Sequence, residues 1–126
     1  MANPAYHADP ADNPETEVAE LVATARASSA FLIASPAYHD SYSGALKNAL
    51  DNLSAIEFRN KPTGLLAHGS GLSAVQVCDQ LRTVMRSLFA LTVPEQLVTV
   101  PEDYRTDAST DRTSYAAIKP SSDWMR

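Results

Sequence analysis

The sequence predicts an α/β fold in which helices cover a parallel sheet, and three observations carry this prediction. Residues 30–34 form a short, continuously apolar run, which is typical of a parallel strand covered on both faces, and two further strands are predicted at 63–67 and 97–100. Segments with helical periodicity alternate with these runs; they are residues 14–27, 43–53 and 73–90. The strict alternation of helix and strand suits right-handed crossover connections, which keep the strands parallel.

The first helix is predicted over residues 14–27, after an irregular arm at 1–13 that is rich in Ala, Pro, Asn and Asp. Asn13 is suited to cap the helix, and Pro14 fits its first position. Acidic residues follow at the positive end of the helix dipole. An apolar stripe then gives the helix a buried face, made of Val18, Leu21, Val22 and Ala25.

The second and third helices are also predicted from the spacing of their apolar residues. The helix at 43–53 has its apolar residues at i, i+3, i+4 and i+7, namely Leu46, Ala49, Leu50 and Leu53. A loop is predicted from the end of this helix through Pro62. The helix at 73–90 is expected to bury Val75, Cys78, Leu81, Val84, Met85 and Leu88. The last strand begins after Pro94, and residues 101–126 are predicted to be an irregular polar tail because no period persists there.

Composition places the chain among ordinary globular domains, and we expect residues 1–126 to form one domain. Of 126 residues, 44% are apolar and 20% are charged, and 10 basic against 15 acidic residues give a net charge of −5. No basic excess favours nucleic acid. No apolar run approaches the ~20 residues of a membrane helix, and no signal peptide is recognisable, so a cytoplasmic location is expected. The single cysteine, Cys78, is interpreted as a core residue.

Two polar loops follow the first two predicted strands. The stretch from Ser35 to Ser43 is dense in hydroxyl and ring groups, and the loop from His68 to Gly71 is built of small residues. Because open α/β sheets bind ligands beyond the carboxyl ends of their strands, these loops form the candidate binding site. Ser41 and Ser43 have a purely structural alternative as caps of the helix that follows.

The stretch from Ser35 to Asp51 resembles the flavin-loop segment of the NAD(P)H-dependent FMN reductases, which are flavodoxin-like proteins. The resemblance continues through residues 58–66, 68–71 and 80–88. It implies a flavodoxin-like, three-layer α/β/α fold, whose parallel sheet has five strands in the order 2-1-3-4-5. The three strands recognised in this chain correspond to the third, fourth and fifth.

The sequence departs from the family pattern in two places. The opening strand, the phosphate-binding loop and the second strand of the family are not recognisable before the first helix, so we expect an N-terminally truncated version with a weakened hold on the FMN phosphate. Asp40 stands where the family often has glycine. Its carboxylate is expected to lie near the electron-rich flavin.

The resemblance implies an NAD(P)H-dependent flavin oxidoreductase that uses FMN with NADPH or NADH. Hydride passes from the nicotinamide to flavin N5 and on to a second acceptor, for which free FMN, a quinone, an azo compound and a partner monooxygenase stay open. This chemistry requires no side-chain acid or base, so no catalytic residue is assigned, and no metal site is expected. The implied cofactor-binding residues are Ser35, Pro36, Ala37, Tyr38, His39, Asp40, Ser41, Tyr42, Ser43, His68, Gly69, Ser70 and Gly71.

Self-association is also expected. The strand at 30–34 would be an apolar edge with unpaired backbone groups, and the resemblance implies a homodimer or homotetramer paired through helices near Lys47 and Asp51. An alternative from another functional class stays open at this point. The chain is then a non-enzymatic interaction module that kept its oligomer surface without tightly bound cofactor.

Overall fold

Three parallel strands form the central sheet of the protein in the order β1, β2, β3. The computed structural model describes residues 16–107 and 112–115. The helices are α1 (Thr16–Ala27), α2 (Gly44–Asp51), α3 (Ala55–Phe58) and α4 (Val75–Ser87). The strands are β1 (Phe31–Pro36), β2 (Pro62–His68), β3 (Leu91–Thr99), β4 (Tyr104–Asp107) and β5 (Arg112–Tyr115), and 3-10 turns cover Leu72–Ala74 and Pro101–Asp103.

The register of the sheet brings the carboxyl ends of its strands level. Pro36 of β1 pairs with His68 of β2, and His68 also pairs with Thr99 of β3. All three strands therefore stop at the same edge, and the chain leaves each of them toward the same side of the molecule. The predicted parallel α/β sheet is confirmed, and so is the prediction that 30–34 lies at an edge among the described residues.

The described helices pack on one face of the sheet. Alternate residues of β1 and β2, such as Ile33 and Leu65, enter a core shared with α2, α3 and α4. On the other face Leu32 is 68% exposed, beside Gly64 of the neighbouring strand. The core consists of Ile33, Leu50, Phe58, Leu65, Ala67, Ala74, Val77, Cys78, Leu81 and Met85. Within residues 16–107 and 112–115, no helix covers the Leu32 side, so the second helical layer expected for the fold is not among them.

Two predicted helices differ from the observed ones. The helix predicted at 43–53 ends at Asp51, and α3 occupies part of the predicted loop, because Ser54 and Glu57 form a capping box that starts a new helix. Ahead of α4, the 3-10 turn takes up residues 72–74. Val75 is consequently 38% exposed, although it was predicted to be buried, and Val77 is buried in the core.

The third strand and the predicted tail also need correction. β3 begins at Leu91 and includes Pro94, which it tolerates because it is an edge strand with a shifted register opposite residues 63–65. In the tail, β4 and β5 form an antiparallel hairpin that pairs Tyr104 with Tyr115. The arm at 1–13 and the predicted cap Asn13 with Pro14 lie outside the described residues, as do 108–111 and 116–126.

An ion pair between a buried carboxylate and a partly exposed guanidinium ties α1 to α3. The Glu57 carboxylate is fully buried and accepts hydrogen bonds from Arg26 Nε at 2.8 Å and from the Ser54 amide and hydroxyl at 2.7 Å each. Burial alone would raise the pKa of Glu57, but the hydrogen bonds from Ser54 and Arg26 outweigh it and hold the pKa below its usual range. The ionised carboxylate therefore stabilises the folded state.

We expect Glu57→Gln to lower the free energy of unfolding by about 2 kcal/mol at neutral pH, because it removes the charged acceptor from a buried site. Because folding lowers the pKa of Glu57, this stabilisation is present above the ordinary glutamate pKa of about 4.3 and is lost as the pH falls through the folded value. Urea denaturation over a pH series measures this. The matched control is Asp51→Asn, which breaks only the exposed pair with Lys47; an equal loss there would contradict the assignment.

The carboxyl end of α4 is a Schellman motif with phenylalanine at the position that glycine normally takes. The Ala90 amide donates to the Met85 carbonyl at 3.1 Å, and the Phe89 amide donates to the Arg86 carbonyl at 3.1 Å. Phe89 has a φ of 58°. A left-handed conformation disfavours a side chain with a Cβ, so the backbone at Phe89 is strained.

We predict that Phe89→Gly is more stable than Phe89→Ala by about 1 kcal/mol, because glycine adopts a positive φ without steric cost. Both variants lose the ring, so their difference isolates the backbone. Equilibrium urea unfolding of the two variants gives this difference directly. Equal midpoints and slopes would show that the positive φ carries no strain.

Candidate functional site

The two candidate loops lie side by side at the carboxyl edge of the sheet. The Ala37 amide, just past β1, donates to the His68 carbonyl at 2.7 Å, and the Gly69 amide, just past β2, donates to the Thr99 carbonyl at 3.1 Å. The ladder thus continues beyond the strands into the loops. The structure brings residues 36–43 and 68–71 together, as the sequence predicts.

The loop from Ser35 to Ser43 contains a tight hairpin turn. The Tyr38 amide donates to the Ser41 carbonyl at 2.9 Å, and the Ser41 amide donates back at 3.1 Å. The two central residues, His39 and Asp40, have φ values of 53° and 58°. Positive φ at both central positions defines a type I′ turn, which favours Asn, Asp and Gly. Asp40 therefore stands where glycine would relieve strain, which explains physically the glycine often found there in the resembling family.

Gln80 of α4 holds this turn in place, and the sequence analysis missed it. Its side-chain oxygen accepts a hydrogen bond from the Ser41 hydroxyl at 2.7 Å, and its side-chain nitrogen donates to the Asp40 carbonyl at 2.8 Å. The turn and α4 are therefore joined at two points. The sequence offered only a weak signal, a polar residue on a helix between the core positions Val77 and Leu81.

Two of the predicted contact residues lie beneath the turn. Ser35 is 3% exposed and Ser43 is 8% exposed. The Ser43 amide donates to the Ser35 hydroxyl oxygen at 2.9 Å, and the Ser43 hydroxyl accepts from the Leu46 amide at 3.2 Å. The structural alternative of a helix cap is thus confirmed for Ser43. Tyr38 projects outward with 62% of its surface exposed, whereas Tyr42 packs against the core.

The glycines of the second loop have different surroundings. A Cβ at Gly69 would lie 2.8 Å from the Ala74 Cβ and 3.1 Å from the Ala37 Cβ. Glycine at 69 therefore permits the close approach of both loops and α4. A Cβ at Gly71 would meet no atom within 4 Å, so open space borders this residue. No described glycine has a positive φ, so the loop does not depend on glycine for its backbone conformation.

A third strand contributes polar side chains that the sequence analysis also missed. The fully buried Thr99 at the end of β3 lies with its hydroxyl 3.0 Å from His68 Nδ1 and 3.2 Å from the Tyr104 hydroxyl. The rings of His68 and Tyr104 meet edge to face with centroids 5.3 Å apart. Thr99 and Tyr104 therefore hold the His68 ring in place. Tyr104 comes from the segment predicted to be an irregular tail.

Four backbone amides of the two loops have no acceptor among the described residues. The amides of Ala37, Tyr38, Ser41 and Gly69 are used within the protein. Those of His39, Asp40, Ser70 and Gly71 donate to no partner in residues 16–107 and 112–115. These four donors lie in the turn and beside the open space at Gly71, where they suit carbonyl and ring-nitrogen acceptors. Neither loop carries a lysine or arginine for a phosphate.

Comparison with known proteins shows the family of the chain. Residues 1–105 match the family model described as NADPH-dependent FMN reductase. The chain belongs to that family. The chain is 41% identical over 85 residues to an FMN-dependent NADPH-azoreductase of Staphylococcus saprophyticus and 37% identical over 93 residues to that of Staphylococcus aureus, covering 68% and 74% of this chain.

Two solved structures share the fold of this chain. An apo NADH:FMN oxidoreductase superposes with a TM-score of 0.67 at 27% identity over 75% of this chain. An oxidoreductase from Corynebacterium diphtheriae superposes with a TM-score of 0.64 at 24% identity over 72% of the chain. The chain spans about half the length of the relatives it matches, 45% and 50% of the two azoreductases.

No described helix is long and apolar enough to cross a membrane.

We expect Gly69→Ala to lower the free energy of unfolding by about 2 kcal/mol, since the new methyl group would contact two Cβ atoms too closely. Gly71→Ala is the matched control in the same loop. It meets no atom within 4 Å, and its stability should stay within about 0.5 kcal/mol of the parent chain. Thermal and urea unfolding of both variants test this. A Gly69→Ala protein as stable as Gly71→Ala would show that the loops need no close approach there.

Proposed function

We propose that this protein is an NAD(P)H-dependent flavin oxidoreductase that holds FMN along the loops at 36–43 and 68–71. The observation that carries the proposal is the set of unused amides at His39, Asp40, Ser70 and Gly71, in two loops joined at the carboxyl edge of the sheet. Membership in the NADPH-dependent FMN reductase family supports the choice of FMN and NADPH. The names of its relatives support it as well.

FMN, when bound, supplies the N5 atom that accepts hydride from the nicotinamide. The residues of the chain provide position and hydrogen bonds. The turn amides of His39 and Asp40 would donate to the ring edge, and the amides of Ser70 and Gly71 would donate to its pyrimidine side. Preorganised donors of this kind stabilise charge that develops during reaction without reorganising. No side-chain acid or base has a step to perform.

The predicted contact residues divide into two roles under this proposal. Ser35, Ser43 and Gln80 position the loop from below. The ligand contacts would come from the rest of the two loops, namely Pro36, Ala37, Tyr38, His39, Asp40, Ser41, Tyr42, His68, Gly69, Ser70 and Gly71. The positioning residues would act on cofactor affinity through the turn that they hold.

The non-enzymatic alternative is not favoured, because the family is one of reductases and both candidate loops are formed. Self-association is retained as part of the proposal. The exposed Leu32 on the β1 edge and the accessible α2 residues Lys47 and Asp51 offer surface for a homodimer or homotetramer. An azo compound, a quinone, free FMN and a partner monooxygenase all remain second acceptors to be tested.

The decisive test is to titrate the 126-residue chain with FMN, following the flavin spectrum, and then to measure NADPH oxidation. We expect a saturable spectral change and flavin-dependent oxidation. Gly71→Val should stay folded, because no protein atom lies within 4 Å of the new Cβ, and it should lose the spectral change by filling the ligand space. Gln80→Leu should weaken FMN binding about tenfold, because it frees the turn from α4.

Lys47→Gln is the control, since its side chain pairs with Asp51 on the exposed side of α2. It should bind FMN like the parent chain. Circular dichroism must first show that all three variants are folded. Full FMN binding by a folded Gly71→Val would refute the assignment of the loop at 68–71, and an absence of binding by the parent chain would leave the interaction-module function in its place.

A further inference from the structure

A cavity lies at the end of the sheet opposite the candidate flavin site. It has a volume of about 470 Å³ and is lined by Arg59, Asn60, Arg82, Arg86, Phe89, Ala90, Leu91 and Thr92. Leu91 begins β3 opposite Pro62, the first residue of β2. The six residue steps of β2 to His68 place the cavity roughly 20 Å from the loops. It therefore cannot be part of the flavin site.

The cavity is strongly cationic. Three arginines and no acidic residue line it. Arg82 is fixed, since it donates to the Gln96 side chain at 2.9 Å and to the carbonyls of Val93 and Pro94 at 2.8 and 2.6 Å. The Arg86 side chain forms no hydrogen bond or ion pair within residues 16–107 and 112–115. One guanidinium is thus a rigid wall of the cavity, and another remains available to an anion.

An aromatic surface lies beside these charges. The Arg59 guanidinium lies over the Phe89 ring, 4.3 Å from its centroid, and the ring is 54% exposed. Together they present a planar cation and a half-open aromatic ring to the cavity. A ligand that carries both a flat ring and a negative charge would match the lining.

The backbone around the cavity is strained. Asn60 and Phe89 have φ values of 62° and 58°, and the Asn60 amide donates to the Phe89 carbonyl at 3.1 Å. A phenylalanine at the end of α4 is held where glycine would fit better, yet its ring stays half exposed. The strained backbone at Phe89 therefore keeps a half-exposed ring in the lining of the cavity.

We propose that this cavity binds a small aromatic anion, whose ring packs against the Arg59 and Phe89 pair and whose anionic group accepts hydrogen bonds from Arg86. The cavity volume falls in the range of small-molecule sites, about 300–1,000 Å³. Aromatic sulfonates, aromatic carboxylates and nucleoside monophosphates share this chemistry. The site is independent of the proposed redox function, since it uses none of the residues of the two loops.

The test is to titrate the isotope-labelled chain with naphthalenesulfonate and to map the amide shifts. We expect saturable shifts at residues 59–61 and 86–92. Neutral naphthalenemethanol and inorganic sulfate should each bind at least about tenfold more weakly, because each lacks one of the two features. Adenosine monophosphate in a parallel titration distinguishes a nucleotide from a simple aromatic anion as the natural class.

Variants separate the site from general charge attraction. Arg86→Gln and Arg59→Gln should each weaken naphthalenesulfonate binding about tenfold, and Phe89→Leu should weaken it while keeping apolar volume. Lys47→Gln removes one positive charge on α2, far from the cavity, and Gly71→Val fills space at the loop of residues 68–71. Neither variant should change naphthalenesulfonate binding. The proposal would be overturned if naphthalenemethanol bound as tightly as naphthalenesulfonate, or if the amide shifts were centred on residues 36–43. Full naphthalenesulfonate binding by Arg86→Gln would also overturn it.

Discussion

The close approach at Gly69 is the constraint on which the rest of the candidate site depends. Two hydrogen bonds continue the parallel ladder past the strands, from Ala37 to His68 and from Gly69 to Thr99. They can form only because Gly69 leaves room for Ala37 on one side and for Ala74 at the start of α4 on the other. A single missing Cβ thus sets the distance between both loops and the helix. Gln80 then fixes the turn at His39 and Asp40 relative to α4.

Backbone strain in the described chain is concentrated at the two ends of the sheet. Four residues other than glycine have positive φ there: His39, Asp40, Asn60 and Phe89. The first two form the turn at the carboxyl edge, and the other two line the cavity at the opposite edge. Strain of this kind persists only where surrounding contacts enforce it. Gln80 supplies such a contact to the turn at Asp40, the Schellman motif holds Phe89, and the hydrogen bond from the Asn60 amide to the Phe89 carbonyl joins Asn60 to it.

Much of this arrangement was predictable from sequence because it is local. The first two strands are continuous apolar runs, and a loop that follows a parallel strand must emerge at its carboxyl end. Gln80, Thr99 and Tyr104 were missed for the opposite reason. Gln80 lies 39 and 40 residues from Ser41 and Asp40, and Thr99 lies 31 residues from His68. Tyr104 contacts His68 and Thr99 from a segment after the sheet, so no short-range pattern connects these residues to the loops. The α3 helix, by contrast, had a local signal in Ser54 and Glu57 that periodicity alone overlooked.

The distribution of charge separates the chemistry of the two ends. The loops at the carboxyl edge contain no lysine or arginine and include the carboxylate of Asp40, so they offer backbone amides to a ring edge and no cation to a phosphate. The opposite end carries Arg59, Arg82 and Arg86 around one cavity. An anionic group gains most from guanidinium groups, whereas a neutral heterocycle gains most from directed amides. The two proposed sites therefore call for different ligand chemistry: directed backbone amides suit the ring edge of a flavin at one end, and guanidinium groups suit an anion at the other.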